Sequence, residues 1–341
     1  MRARECAFRA EEIAHSCMVR RRSGPPIREN PGVEWTRTRR AVLAGAYLAA
    51  LATMIAVKGL FISADRYALI LLVPALALGV WREYLRDFLP FIVAILLFEE
   101  VRGVAHLLNP DPYVTQLIDL DRFLGGGTIP TARLQAWLYD PAAGLSWYDT
   151  TMAVLQRMHF FIPPTLLFVI WLDRRELYYR CATTMVLVSF AAAFTFWAIP
   201  AAPPWYAAKH GFLDPLVQIG SVQASSSPVS TEKSWIAAHL LRNSVAAVPS
   251  LHAAYSLLTA IFAWQWRRRV GYAFLLYPVA MWFTIVYFAD HYVVDVLAGI
   301  AFALAGWKLT GRAFTEGGRL RRLRGPFPPP IEGARFAPTE P

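Results

Sequence analysis

Between residues 41 and 309 the chain returns repeatedly to apolar runs, several of them close to the ~20 residues that carry an α-helix across a hydrocarbon layer. Within a bilayer every backbone N–H and C=O must find a partner inside the protein. That leaves helices and closed barrels as the spanning structures. The alternating pattern of a barrel strand is absent from these runs. The chain therefore reads as an all-α, polytopic bundle of membrane helices. Composition agrees: 17% of the residues are charged, against about 25% in a soluble globular protein. The charges that exist are gathered into two tails and a few short loops.

Eight runs can be marked: 41–62, 67–81, 88–108, 148–172, 179–199, 248–266, 270–288 and 291–309. The third is unusual in holding Glu99, Glu100, Arg102 and His106, and the fourth holds Arg157 and His159. The stretch 109–147 is too polar to span. Its piece 131–139 places Leu134, Trp137 and Leu138 on one face, which predicts an interfacial helix. A long loop, 200–247, contains Ala202-Pro203-Pro204-Trp205-Tyr206 and a Ser-rich stretch. Residues 1–40 carry ten arginines and no apolar core of the kind a signal peptide needs, and 310–341 are basic and Pro-rich. Both are expected to be disordered tails.

Charge sorts the connections by side. With eight spans, the loops holding Arg82 and Arg86, Arg174, Arg175 and Arg180, and Arg267, Arg268 and Arg269 fall on the same side as both tails. Cytoplasmic loops carry the excess of Lys and Arg, so both termini are expected in the cytoplasm of a plasma-membrane protein. The net charge of +10 is then accounted for by orientation and by anionic headgroups rather than by nucleic acid. Cys6, Cys17 and Cys181 make neither a metal pattern nor a disulfide framework. No metal and no cofactor are expected.

Two stretches sit where outward-facing helix starts should be. One is Val248-Pro249-Ser250-Leu251-His252 and the other is Asp290-His291-Tyr292-Val293-Val294-Asp295. An ionisable side chain at such a boundary points to function. His291 and Asp295 are spaced i, i+4, so the carboxylate can take the proton of one imidazole nitrogen and leave the other as a directed lone pair, as a nucleophile requires. Ser250 is a natural helix cap, the amides behind it suit an anion, and His252 can protonate a departing alkoxide. Two imidazoles and a carboxylate of this kind fit phosphoryl transfer without a metal.

Pro249, Ser250, His252, His291 and Asp295 resemble the second and third signature motifs of the type 2 phosphatidic acid phosphatase superfamily, Pro-Ser-x-His and His-x-x-x-Asp. Leu251, the following alanines and the run at 202–206 resemble its inositol phosphorylceramide synthase-like branch. The resemblance implies a six-helix phosphatase-type core over 85–309, preceded by two additional helices in 41–84. It also implies a phosphohistidine on His291, oriented by Asp295, with His252 protonating the leaving group. The superfamily's first motif, a Lys followed by Arg-Pro, and the Ser-Arg that opens its third are absent; Thr284-Ile285 stand where the latter would be. Phosphate charge must then be met elsewhere, and Arg102, Arg157, Lys209 and Arg242 are the candidates, with Tyr206 on the lip. Glu99 or Glu100 offers Arg102 a structural alternative, while His106, His159, His210 and His239 read as interfacial, packed or loop residues.

Three activities remain in view. The first is a membrane phosphotransferase moving a phospho-headgroup, such as inositol phosphate, between lipids at the extracytoplasmic leaflet. A lipid phosphate phosphatase with water as acceptor would use the same residues on phosphatidate or polyprenyl phosphate. A lipid transporter using Glu99, Glu100, Arg102 and Arg157 would leave both histidine motifs unexplained.

Overall fold

The computed structural model describes residues 64–225 and 243–314, together with Gly45 and Tyr47. Residues 1–40, most of the first apolar run, His239, Arg242 and 315–341 lie outside the described residues, while 310–314, expected to open the disordered tail, are instead the end of the helix Val293–Phe314. Among those described, the chain is helical and forms no β-strand beyond two isolated bridges, Tyr113 to Ala201 and Ala201 to Ala246. The helices are α1 (Ala64–Ala77), α2 (Trp81–Leu108), α3 (Thr115–Leu124), α4 (Pro130–Leu138), α5 (Trp147–Met158), α6 (Ile162–Asp173), α7 (Arg175–Ala198), α8 (Pro204–Lys209), α9 (Ile219–Ser225), α10 (Leu251–Trp266), α11 (Arg268–Phe274), α12 (Leu276–Tyr287) and α13 (Val293–Phe314).

The chain is a helical membrane protein. Among the described residues, α7, the α11–α12 stretch Arg268–Tyr287 and α13 are each long and apolar enough to cross a bilayer. The pair α5 and α6 makes a fourth if it is taken as one span bent by 45°. The sequence reading treats 148–172 as a single run. The structure breaks it between Met158 and Ile162, because Pro163 and Pro164 open α6 and cannot donate to the turn before them. The runs at 67–81 and 248–266 appear as helices of 14 and 16 residues, shorter than the ~20 that span a hydrocarbon layer.

Helix α13 packs against α10 and α7, and α2 lies along α7. Small residues set those distances. A Cβ on Gly299 would come within 2.3 Å of the Ser250 carbonyl oxygen, and one on Gly306 within 2.6 Å of Val188 Cγ2. Hydroxyls stitch the same seam further down, where Thr184 and Thr310 meet at 2.7 Å. At the opposite end, the buried carboxylate of Asp87 on α2 accepts hydrogen bonds from Trp171 Nε1 (2.8 Å), Arg175 (3.0 Å), Tyr179 (2.6 Å) and Arg86 (2.8 Å). The side chains of Asp87 and Arg175 are 1% and 4% exposed, so neither charge has water as a substitute partner.

The connections on the other side form a polar-stapled cover. Ala201 N–H donates to Val245 O (2.7 Å) and Ala247 N–H to Ala201 O (3.1 Å), while Tyr113 N–H reaches Pro200 O (2.8 Å). Their apolar side chains pack on Tyr292. On α4, Gln135 spends its whole amide: Nε2 donates to Val217 O (2.7 Å) and Tyr287 O (3.0 Å), and Oε1 accepts from Val217 N–H (3.0 Å).

Candidate active site

Local rules place the two motif stretches side by side. Ser250 caps α10 by accepting Ala253 N–H at 3.3 Å. Its own N–H donates to the backbone carbonyl of Asp295 at 3.1 Å, so one motif is hydrogen-bonded directly to the other. Before α13, Ala289 takes a left-handed conformation (φ 63°), and the N–H groups of Asp290 and His291 both donate to Ile285 O at 3.1 Å. The reversal is fixed from outside by Trp205 N–H, which donates to Ala289 O at 3.0 Å.

His291 precedes α13 rather than lying within it. The pairing expected from i, i+4 spacing still forms, because Asp295 in the first turn reaches back. Its Oδ2 lies 3.3 Å from His291 Nδ1 and accepts Tyr292 N–H at 2.9 Å. This leaves His291 Nε2 as the nitrogen turned from the carboxylate. The His252 ring stands 5.6 Å from the His291 ring, centroid to centroid, at 65°. At that separation the two rings are in edge-to-face contact, so both imidazoles border the same point of the site.

A third imidazole joins them. His159, at the end of α5, lies 4.6 Å from His252 and stacks on Tyr255 at 5.5 Å and 12°. It is buried, and its Nδ1 has no hydrogen-bond partner among the described residues. Tyr255 is held by a hydroxyl contact with Ser189 on α7. The reading of His159 as a packed residue missed this convergence. Its position at a helix break just ahead of two prolines is the signal that could have found it.

Two carboxylates outside the motifs were also missed. Asp121 on α3 accepts Val293 N–H at 2.8 Å and Val294 N–H at 3.3 Å, so it caps the helix that carries Asp295. Burial pushes its carboxyl up to about 6 against the bonds from those two amides, and the negative charge of Asp295 adds to the rise. Asp290 accepts Gln156 Nε2 at 2.7 Å and Gln218 Nε2 at 2.9 Å. Burial raises its carboxyl as well, opposed by both glutamines and by the neighbouring His291.

The basic candidates divide. Arg102 pairs with Glu99 at 2.6 Å, the structural alternative offered by the sequence, yet it is close enough for its charge to act on His252. Its backbone carbonyl accepts Asn243 Nδ2 at 2.9 Å. Arg157 is buried on α5, next to Gln156. Lys209 is exposed at the end of α8, and the Tyr206 ring stacks on His210 at 4.0 Å. Among the described residues no group of three His, Cys, Asp or Glu side chains is placed to hold a metal ion.

Comparison with known proteins follows the same residues. Residues 115–309 match the PAP2 superfamily. The chain is 35% identical over 157 residues to the phosphoinositol dihydroceramide synthase of Bacteroides thetaiotaomicron, covering 43% of this chain and 50% of that one. It is 23% identical over 236 residues to the inositol phosphorylceramide synthase catalytic subunit of Schizosaccharomyces pombe, covering 64% of this chain and 52% of that one. The chain thus spans about half the length of the curated relatives it matches. No solved structure matches it at a significant level.

Proposed function

We propose, since this chain belongs to the PAP2 superfamily, that it is a lipid phosphotransferase that moves a phosphoinositol headgroup from a glycerolipid to the hydroxyl of a ceramide-class lipid. The phosphoinositol group and the ceramide-class acceptor are taken from the names of its relatives, and the glycerolipid donor is part of the proposal. The observation that carries the chemistry is the pair of imidazoles 5.6 Å apart, one of them backed by a buried carboxylate.

In this mechanism His291 Nε2 attacks phosphorus. A P–N bond forms as the P–O bond to diacylglycerol breaks, and His252 gives its proton to the departing alkoxide. The acceptor hydroxyl then passes its proton to His252 while its oxygen attacks phosphorus and the P–N bond breaks. Asp295 holds the His291 ring in one tautomer and stabilises the charge that develops on it. Ser250, by capping α10, holds the start of that helix where His252 meets the phosphate. Arg157 and Arg102 neutralise phosphate from within the bundle, and Lys209 and Tyr206 meet the headgroup at the mouth; Arg242, outside the described residues, stays a candidate from sequence. The proposed setting is a plasma-membrane bundle of eight spans with cytoplasmic termini and a six-helix core whose site opens to the extracytoplasmic leaflet.

The test is incubation of the purified protein with inositol-labelled phosphatidylinositol and a ceramide, followed by lipid chromatography. Transfer of label to the ceramide is expected, and His291→Ala should abolish it. Release of water-soluble inositol phosphate as the sole product would replace the transferase with a hydrolase. Undiminished transfer by His291→Ala would end the phosphohistidine route.

A further inference from the structure

The proposed chemistry uses His291, Asp295 and His252 but leaves the cluster of Asp290, Gln156 and Gln218 without a role. We infer that this cluster is a recognition subsite for the hydroxyls of a polyol esterified to the reacting phosphate. The inference rests on the transferase reading only for the identity of the polyol, an inositol ring; the subsite itself is argued from geometry.

Three observations carry it. The first is position. Asp290 is the residue immediately before the proposed nucleophile, and both N–H groups donate to the same carbonyl, Ile285 O. Gln156 and His159 sit three residues apart at the end of α5, on one face of the helix. His159 lies against His252, while Gln156 reaches Asp290. The same helix end therefore borders both the histidine cluster and the carboxylate.

The second is spare capacity. A carboxylate offers about four acceptor sites, and each primary amide offers two donors and an acceptor. Gln156 and Gln218 each use one N–H on Asp290, one per carboxylate oxygen. Each oxygen keeps a free lone pair. The carboxylate accepts from neighbouring hydroxyls while the flanking amide N–H groups donate to them, as a vicinal diol requires. Gln135 makes the contrast, because its amide is consumed by backbone partners and serves as a staple.

The third is access. Asp290, Gln156 and Gln218 are all half-buried, whereas the structural carboxylates Asp87, Asp121 and Asp149 are buried. In the transfer reaction the headgroup stays on His291 after diacylglycerol has left. A subsite beside the nucleophile would hold the polyol through that interval.

The experiment is equilibrium titration of the purified full-length protein in detergent with myo-inositol 1-phosphate, glycerol 3-phosphate and inorganic phosphate. The wild type should bind inositol phosphate about tenfold or more tighter than inorganic phosphate, the value of one or two hydrogen bonds to a charged group. Asp290→Asn and Gln218→Ala should each remove most of that preference while inorganic phosphate binds within about twofold of wild type. No preference in the wild type, or a preference intact in both variants, overturns the subsite. Equal weakening of all three ligands in both variants also overturns it, since that is the signature of a structural staple. Glycerol 3-phosphate bound as tightly as inositol phosphate narrows the recognised unit to a diol and supports the site. A lipid assay that yields no new phosphodiester while the preference stands defeats the transferase and leaves the subsite. Transfer without the preference defeats the subsite alone.

Discussion

Gly299→Ala is a one-carbon change that should disable the site from behind. The added Cβ would lie 2.3 Å from the Ser250 carbonyl oxygen and 3.1 Å from Ala253 Cβ. Carbon and oxygen do not ordinarily approach closer than about 3.3 Å, so the start of α10 and the first turns of α13 must separate by about 1 Å. Neither contact is the end of a flexible side chain: one is backbone and the other is the first carbon of an alanine. The separation falls on the hydrogen bond from Ser250 N–H to Asp295 O, and thus between His252 and His291. A displacement of ~1 Å in reacting groups costs about a hundredfold in rate, while overpacking a seam costs about 1–3 kcal/mol of stability. Turnover should therefore fall about a hundredfold with a modest drop in melting temperature. Gly306→Ala is the control. Its Cβ would meet Val188 Cγ2 at 2.6 Å on the same helix, about 10 Å further from the motifs. It should cost comparable stability and only a few-fold in rate. A folded Gly299→Ala protein with wild-type kcat, or an equal loss of rate in Gly306→Ala, would refute the claim that this contact sets the spacing of the histidines.

Other expectations follow from single groups. His159→Phe keeps the stack on Tyr255 and removes the ring nitrogens; kcat should fall about tenfold or more with the melting temperature preserved. Full activity would make His159 a packing residue after all. The folded Asp121 carboxyl titrates at about 6 rather than 3.8, so the folded protein holds a proton that the unfolded chain releases. Its contribution to stability is present at acid pH and is lost as pH rises from about 4 through about 6. Melting curves across that window should slope downward with pH. Asp121→Asn should flatten part of the slope, leaving the share that Asp290 contributes in the same direction; an unchanged slope would remove Asp121 from the account. Asp87→Ala strands the buried Arg175 guanidinium and should cost about 3–5 kcal/mol in reversible unfolding. Adding Arg175→Met should recover much of it, and no recovery would place the cost in the lost Trp171 and Tyr179 bonds instead.

What the sequence reveals and what it hides divide along a physical line. The helical membrane class is legible because a bilayer forces each span to advertise itself as an uninterrupted apolar run. His291 and Asp295 are legible because their partnership is local, four residues apart. His252 is legible because its helix start is built from its own neighbours, Pro249 and Ser250. The break at Met158 could have been read from Pro163 and Pro164, but the apolar run concealed it. The supporting shell is different in kind. Gln156 and Asp290 meet across 134 residues, and Asp121 and Val293 across 172. An amide or a carboxylate in a polar loop carries no periodicity that would say where it ends up. Asp121 lies in a stretch the sequence reading left without a helix, and Gln218 in a long loop. The acid that caps α13 and the amides that hold Asp290 therefore come from the segments that look least informative. Spans can be recognised from composition, but the loops between them carry the groups that hold Asp290 and the start of α13 beside His291. A substitution in 110–147 or 200–225 should consequently alter the reaction as readily as one in the membrane helices, and turnover of the Asp121→Asn and Gln218→Ala proteins in the lipid-transfer assay checks it.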